Sequence, residues 1–396
     1  MGTHTIFSPA KRISSLQPYY FAALQEKLAQ LRRKGVDVIR VDIGSPDLPP
    51  ADFIIDTLAT ASHKPDVHGY APTGGTVAFH QAVATYYGRR FGVELDPMRE
   101  TLALIGSKEG LFNLSQVLLD PGDWVLVPDP GYPVYSAGAE IAGAHIYSIP
   151  LDKQHEFLPD LESIPADVAE RAKLLWLNYP NNPTGATAGL EFFERAVAFA
   201  QKYHLLLAHD APYVDVCFDG YRAPSLMQVP GAKEIAVEFN SLSKTYNMAG
   251  WRLGMVVGNS QVLDYLYNYK SQMDTSQFEP IYEAGVAALT GDQSWVEERN
   301  RIYQERRDIA VDALRVAGFD VPVPKAAIYV WAHVPPAMPD STELCDRLLE
   351  ETGVSITPGE VYGPHGQGFV RVSLGISTGR LKEAMLRVRQ WAADNL

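Results

Sequence analysis

Between Leu102 and Val257, short apolar runs alternate with segments of helical periodicity, and this alternation restricts the fold more than any other feature of the chain. Leu102–Ile105, Trp124–Val127, His145–Ile149, Leu174–Leu177, Leu205–Ala208 and Ile235–Phe239 read as buried strands bounded by Gly, Pro, Asp or Asn. Glu109–Leu119 and Leu190–Tyr203 read as helices between them. In the second, Leu190, Phe193, Val197 and Ala200 make an apolar stripe at helical spacing. Strands buried on both faces lack polar alternation, so the expectation is an α/β fold with a mostly parallel sheet covered by helices. After about Asp292 the pattern changes. Trp295–Leu314 predicts one long helix, with Glu297 and Arg301 spaced i,i+4 on a solvated face. Strand-like runs at Ile328–Ala332 and Phe369–Leu374 and a terminal helix from Arg380 follow, which suits a smaller α+β domain. Another helix is expected around Phe21–Arg33.

At 396 residues the chain has room for a large domain and a smaller one. Its 34 basic and 47 acidic residues leave a net charge of −13, which argues against nucleic acid or an acidic membrane as partner. Cys217 and Cys345 stand far apart, and neither a disulfide framework nor a zinc site is expected. Met1–Leu16 lacks an apolar core of signal-peptide length, and no apolar stretch is long enough to span a bilayer. Ile6 stands where N-myristoylation of Gly2 needs Ser or Thr. A cytoplasmic location is the default expectation.

Four motifs carry chemistry. In Ser241-Leu242-Ser243-Lys244, a lysine sits between a hydroxyl-lined turn and the apolar run Leu253–Val257, with Arg252 eight residues on. Burial there would lower the lysine pKa and leave an amine able to condense with a carbonyl. Gly106-Ser107-Lys108-Glu109-Gly110 follows a strand and opens a helix, as either a tight turn or a phosphate cradle. Asn178-Tyr179-Pro180-Asn181-Asn182-Pro183-Thr184-Gly185 is a rigid turn at a strand's carboxyl end, where doubly wound sheets hold ligands. Asp210 follows the run Leu205–Ala208 as either a helix cap or a buried charge with a cationic partner.

Together, in this order and from Tyr19 to Arg371, these segments resemble the class I aminotransferases of the pyridoxal-phosphate fold-type I superfamily. The resemblance implies pyridoxal 5'-phosphate as cofactor and Lys244 as the Schiff-base lysine. It implies Ser107, Ser241 and Arg252 as phosphate ligands, and Asp210 as partner of the pyridine nitrogen. Asn182 and Tyr213 match donors to the ring's phenolic oxygen, and Tyr132 matches the aromatic stacked on the ring. Tyr70 matches a tyrosine reaching the phosphate of a partner subunit, which implies a homodimer with shared active sites. Arg371, in Phe369-Val370-Arg371-Val372-Ser373, matches the arginine gripping the substrate α-carboxylate, with Gly44, Tyr19 and Asn182 also on the substrate side. Lys108 matches a lysine near either the phosphate or the substrate's distal end. Lys244, Asp210 and Tyr213 form the catalytic set, and no metal is implied. The expected division is an N-terminal segment, 1–45, joining the small domain; a large cofactor-binding domain, 46–291; and a small C-terminal domain, 292–396.

Within the family, Gly106–Gly110, His209–Tyr213, Asp219–Ser225 and Gln228–Ala232 look like the branch of bacterial LL-diaminopimelate aminotransferases and closely similar alanine and aspartate aminotransferases. The expected activity is transfer of an amino group between an amino acid and a 2-oxo acid such as 2-oxoglutarate. LL-diaminopimelate is the favoured donor, aspartate or alanine stand behind it, and the setting is lysine biosynthesis. Two departures bear on substrate. Thr73 stands where plant-type diaminopimelate enzymes carry a glutamate, and Thr275–Phe278 lacks the arginine that vertebrate-type aspartate aminotransferases bring across the dimer. The alternatives are a C–S β-lyase of the same fold and a non-catalytic cofactor-binding regulator. Joint retention of Lys244, Asp210 and Arg371 speaks against the regulator.

Overall fold

The computed structural model describes residues 7–14 and 20–396. Among the described residues, twelve strands form three sheets. They are β1 (Ile39–Arg40), β2 (Thr101–Leu104), β3 (Trp124–Asp129), β4 (His145–Pro150), β5 (Ala172–Asn178), β6 (Leu206–Asp210), β7 (Ala236–Ser241), β8 (Gly254–Gly258), β9 (Tyr329–His333), β10 (Val354–Ser355), β11 (Thr357–Pro358) and β12 (Phe369–Ser373). The largest sheet has seven strands in the order β2-β8-β7-β6-β5-β3-β4. Only β8 runs against its neighbours; the other pairings are parallel.

Away from the edge strand β4, both faces of this sheet are dry, which explains the long apolar runs of its central strands. Along β5, Leu174 and Trp176 pack with Leu111, Leu114 and Leu263 on one face. Leu175 and Leu177 pack with Phe193, Val197 and Ala200 on the other. Period-two side chains therefore serve two cores at once. A third cluster gathers Val330, Val370 and Val372 with Val311 and Leu314 of the helix Ser294–Val316 and Leu381 and Val388 of the helix Thr378–Asn395. The antiparallel sheet β11-β12-β9 belongs to this cluster, and β1 pairs with β10 in parallel, Ile39 opposite Val354.

Several expectations need correction. The helix read from Glu109 begins at Ser107 (Ser107–Leu118), so the serine is its first residue. Leu190, read as part of an apolar stripe, is exposed because the helix Leu190–Tyr203 starts there at the surface; Phe192 and Ala196 complete the buried face. Ile235 ends the short helix Ala232–Ile235 before β7 begins. Among the described residues, no helix is long and apolar enough to cross a membrane.

Candidate active site

The carboxyl ends of β5, β6 and β7 open into a cavity of about 470 Å³. It is lined by Gly44, Ser107, Lys108, Tyr132, Asn182, Asp210, Tyr213, Ser241, Lys244, Arg252 and Arg371. The structure thus brings together eleven of the residues singled out in the sequence. Tyr70 does not line the cavity and is 91% exposed in the single chain. Tyr19 lies outside the described residues.

Lys244 ends the first stretch after β7, in the short helix Leu242–Thr245 that Ser241 caps by accepting from the Ser243 amide at 3.1 Å. Its Nζ donates to the Gly44 carbonyl at 2.5 Å. Burial, with Arg371 and Arg252 nearby, lowers its pKa to about 7, so a neutral amine exists at ordinary pH.

Asp210 is neither a helix cap nor half of an ion pair. It is the last residue of β6, buried, with Oδ2 accepting from the Tyr135 hydroxyl at 2.7 Å. Oδ1 is buried with no hydrogen-bond partner, and burial raises the pKa to about 6 against the pull of Tyr135 and His209. Among the described residues nothing donates to Oδ1, which leaves this acceptor open to a donor entering the cavity.

Gly106 precedes Ser107 with φ of 71°, a conformation in which glycine is favoured. A Cβ on Gly106 would collide with the Arg252 guanidinium, and one on Gly254 would lie 2.7 Å from the Ser107 amide nitrogen. The two glycines keep a cradle open between the helix's first amides and Arg252. Arg252 itself holds φ of 59°, a left-handed conformation costly for a side chain of its size, and donates to the Ala249 carbonyl at 2.8 Å.

Arg371, on β12, is buried against Tyr329 and Tyr362, its guanidinium carbon 4.1 and 4.9 Å from their ring centroids. It donates to Asn182 Oδ1 at 2.9 Å and the Asp42 carbonyl at 2.8 Å, while its Nε is buried without a partner. Tyr213 shares a hydrogen bond with the Tyr329 hydroxyl at 2.8 Å. Lys108 Nζ lies 5.7 Å from the Tyr132 ring centroid, its pKa lowered by burial and by Arg252.

Sequence reasoning missed Tyr329, Tyr362 and Arg40 in the lining, and Tyr135 behind Asp210. Tyr329 lies inside a run correctly read as a strand, where an aromatic looks like core. Tyr135, three residues after Tyr132 and second in the helix Val134–Ala142, carried the clearest missed signal: the turn closed by its amide on the Tyr132 carbonyl at 3.2 Å brings the two ring centroids to 6.0 Å.

The donor set fits pyridoxal phosphate. Asp210 Oδ1 awaits a ring N–H, Lys244 offers an amine, and the Gly106–Gly254 cradle with Ser107, Ser241 and Arg252 suits a phosphate.

Comparison with known proteins agrees. Residues 36–388 match the family described as aminotransferase class I and II. The chain is 50% identical to the LL-diaminopimelate aminotransferase of Moorella thermoacetica over 381 residues, covering 96% of this chain and 97% of that one. It is 49% identical to that of Desulforudis audaxviator, covering 97% of each. Among solved structures, substrate-bound BacF from Bacillus subtilis superposes with a TM-score of 0.94 at 36% identity, covering 98% of both chains. A probable N-succinyldiaminopimelate aminotransferase from Thermus thermophilus gives 0.88 at 41% identity, covering 93% of this chain and 99% of that one. The chain belongs to the class I and II aminotransferases, enzymes of fold type I that depend on pyridoxal phosphate.

Proposed function

We propose that this aminotransferase takes its amino group from LL-diaminopimelate and passes it to 2-oxoglutarate, with aspartate and alanine as weaker donors. The observation that carries the reading is charge. The cavity is lined by five basic side chains, Arg40, Lys108, Lys244, Arg252 and Arg371, and by one acid, Asp210. In a chain of net charge −13, such a pocket is built for several anionic groups at once. Arg40 is ion-paired with Asp42, and Lys244 is the reacting amine. With Arg252 given to a cofactor phosphate and Arg371 to an α-carboxylate, Lys108 is the lining cation proposed to meet a distal carboxylate, which diaminopimelate, aspartate and 2-oxoglutarate all carry. The names of the relatives from Moorella and Desulforudis support the same donor. The lyase and regulator readings have no such support.

Bound in the cavity, pyridoxal phosphate supplies an electron sink that acidifies the Cα proton of an amino acid. Asp210 Oδ1 would hold the proton on the ring nitrogen, while Asn182 and Tyr213 would donate to the ring's phenolic oxygen and Tyr132 would cover the ring. Ser107, Ser241 and Arg252 would anchor the phosphate, completed by Tyr70 of a second copy in a homodimer. Arg371 grips the α-carboxylate through paired N–H groups and so fixes which Cα bond is broken. The Lys244 amine then carries the proton away from Cα. Gly44, whose carbonyl accepts from Lys244, marks the substrate side. The segmentation 1–45, 46–291 and 292–396 is supported by the pairing of β1 with β10, which joins the N-terminal segment to the C-terminal one. Amino transfer is reversible, and run from glutamate it would form LL-diaminopimelate; a cytoplasmic role in lysine biosynthesis, in that direction, is part of this proposal.

The test compares kcat/KM for LL-diaminopimelate, aspartate, alanine, leucine and phenylalanine with 2-oxoglutarate as acceptor, in the parent and in Lys108→Ala. Diaminopimelate should lead in the parent, and the variant should lose most with the carboxylate-tipped donors. A parent that prefers leucine or phenylalanine refutes the reading. Equal losses for every donor assign Lys108 to the phosphate.

A further inference from the structure

The helix Ser294–Val316 carries Trp295, Arg299, Tyr303 and Arg306 along one face at helical spacing. Arg299 is buried, 2% exposed, and among the described residues no carboxylate forms an ion pair with it. Its guanidinium lies between aromatic rings, 5.8 Å from the Trp295 centroid and 5.4 Å from that of Tyr303. Burial lowers its pKa to about 10. A buried cation with no direct ion pair is costly even with the charge of Asp215 nearby, and hydrogen bonds from its two Nη groups offset part of that cost while Nε makes none.

Those bonds are specific. One arm, Nη1, donates to the main-chain carbonyl of Lys244 and, at 3.2 Å, to Asn247 Oδ1. The other, Nη2, donates at 3.3 Å to the main-chain carbonyl of Asp215, two residues after Tyr213. Asp215 is itself a fixed post: its carboxylate accepts from Tyr86 at 2.6 Å and Arg90 at 2.8 Å, and its carbonyl also accepts from Asn300 at 2.8 Å. Arg299 does not line the cavity, so it meets neither cofactor nor substrate.

We infer that Arg299 is a positioning residue for amino transfer: its rigid fork sets the root of the Lys244 side chain against the segment that carries Asp210 and Tyr213. The inference rests on reading Lys244 as the group that moves the Cα proton. An amine on a four-carbon stem reaches its target only as accurately as the backbone beneath it is held, and a displacement of about 1 Å costs on the order of a hundredfold in rate. Lysine at 299 would keep the charge but lacks the planar fork that reaches two carbonyls in fixed directions.

The experiment uses the holoenzymes of Arg299→Lys, Arg299→Met and Lys244→Ala. It measures kcat, KM for the amino donor, bound cofactor, and the pH at which the visible absorbance of the bound cofactor titrates. Arg299→Lys is expected to lose roughly tenfold in kcat and Arg299→Met roughly a hundredfold, with KM nearly unchanged and the spectral titration displaced in both. Arg299→Lys with parental kcat and titration overturns the inference, whether or not Arg299→Met folds. So does a kcat loss that only tracks lost cofactor while the titration stays in place. Lys244→Ala separates the two ideas. If it retains turnover, the reading of Lys244 fails; if it is inactive while Arg299→Lys behaves as the parent, only the role of Arg299 fails.

Discussion

Tyr135 donates its hydroxyl to Asp210 Oδ2 at 2.7 Å and stacks on Trp176 with 4.9 Å between ring centroids, so one carboxylate oxygen is tied down and the other is presented to the cavity. Removing the hydroxyl in Tyr135→Phe leaves both oxygens buried without a donor, at a cost of about 1–3 kcal/mol. Cofactor affinity should fall by roughly tenfold, and further in Asp210→Asn, as read by equilibrium dialysis of pyridoxal phosphate. A dissociation constant unchanged in Tyr135→Phe would contradict this account of how Asp210 is aimed.

Stability of the cofactor-free protein should depend on pH through two groups acting in opposite directions. Asp210 titrates at about 6 instead of 3.8, so the folded state holds an extra proton between those values and stability falls as pH rises through them. Lys244 titrates at about 7 instead of 10.5, so the folded state binds fewer protons in that window and stability rises with pH. Asp210→Asn should therefore raise the cofactor-free Tm above about pH 6 and leave it unchanged near pH 3.8. Lys244→Met should raise it most at and below about pH 7, with the gain fading towards pH 10.5. Thermal unfolding across this range checks both signs.

Gly106→Ala should weaken cofactor binding through Arg252. The new methyl would strain a residue at φ of 71° and occupy the guanidinium's place. The loss is expected to be about tenfold or more in the parent but much smaller in an Arg252→Ala background, because both changes act on one contact. Equal losses in the two backgrounds would show that the glycine serves the backbone alone.

Tyr70 supplies a test of shared sites. Mixing Tyr70→Ala chains with Lys244→Ala chains should regenerate up to about a quarter of parental activity, since half the dimers would be mixed and each would hold one intact site. No recovery after dissociation and remixing would remove Tyr70 from the partner's site.

The sequence made the sheet legible because most of its strands' runs were apolar throughout, as Leu174–Leu177 shows, with His145, Ser148 and Glu238 the exceptions. Helices of mixed polarity, such as Val77–Phe91 and Ser260–Met273, gave no comparable pattern. Lys244, Asp210 and Arg371 were found through their motifs. The state of Asp210 was not, since whether an acid caps a helix or ends a buried strand depends on Tyr135, which lies 75 positions away. Arg40 escaped notice because a two-residue strand has no period to read. Aromatics such as Tyr329 look alike in a sequence whether they fill a core or wall a cavity.

The pairing of β1 with β10 has a consequence for how the protein is made. Arg371 closes on the Asp42 carbonyl across 329 positions of chain, and Ile39 waits for Val354. On the ribosome, the seven-stranded sheet can emerge and pack while the strand at residue 39 still lacks its neighbour. The contact of Arg371 with Asp42 can form only once nearly all of the polypeptide has been released, so a nascent chain arrested after β8 would hold Asp210 and Lys244 but lack Arg371, to which the proposed function gives the carboxylate.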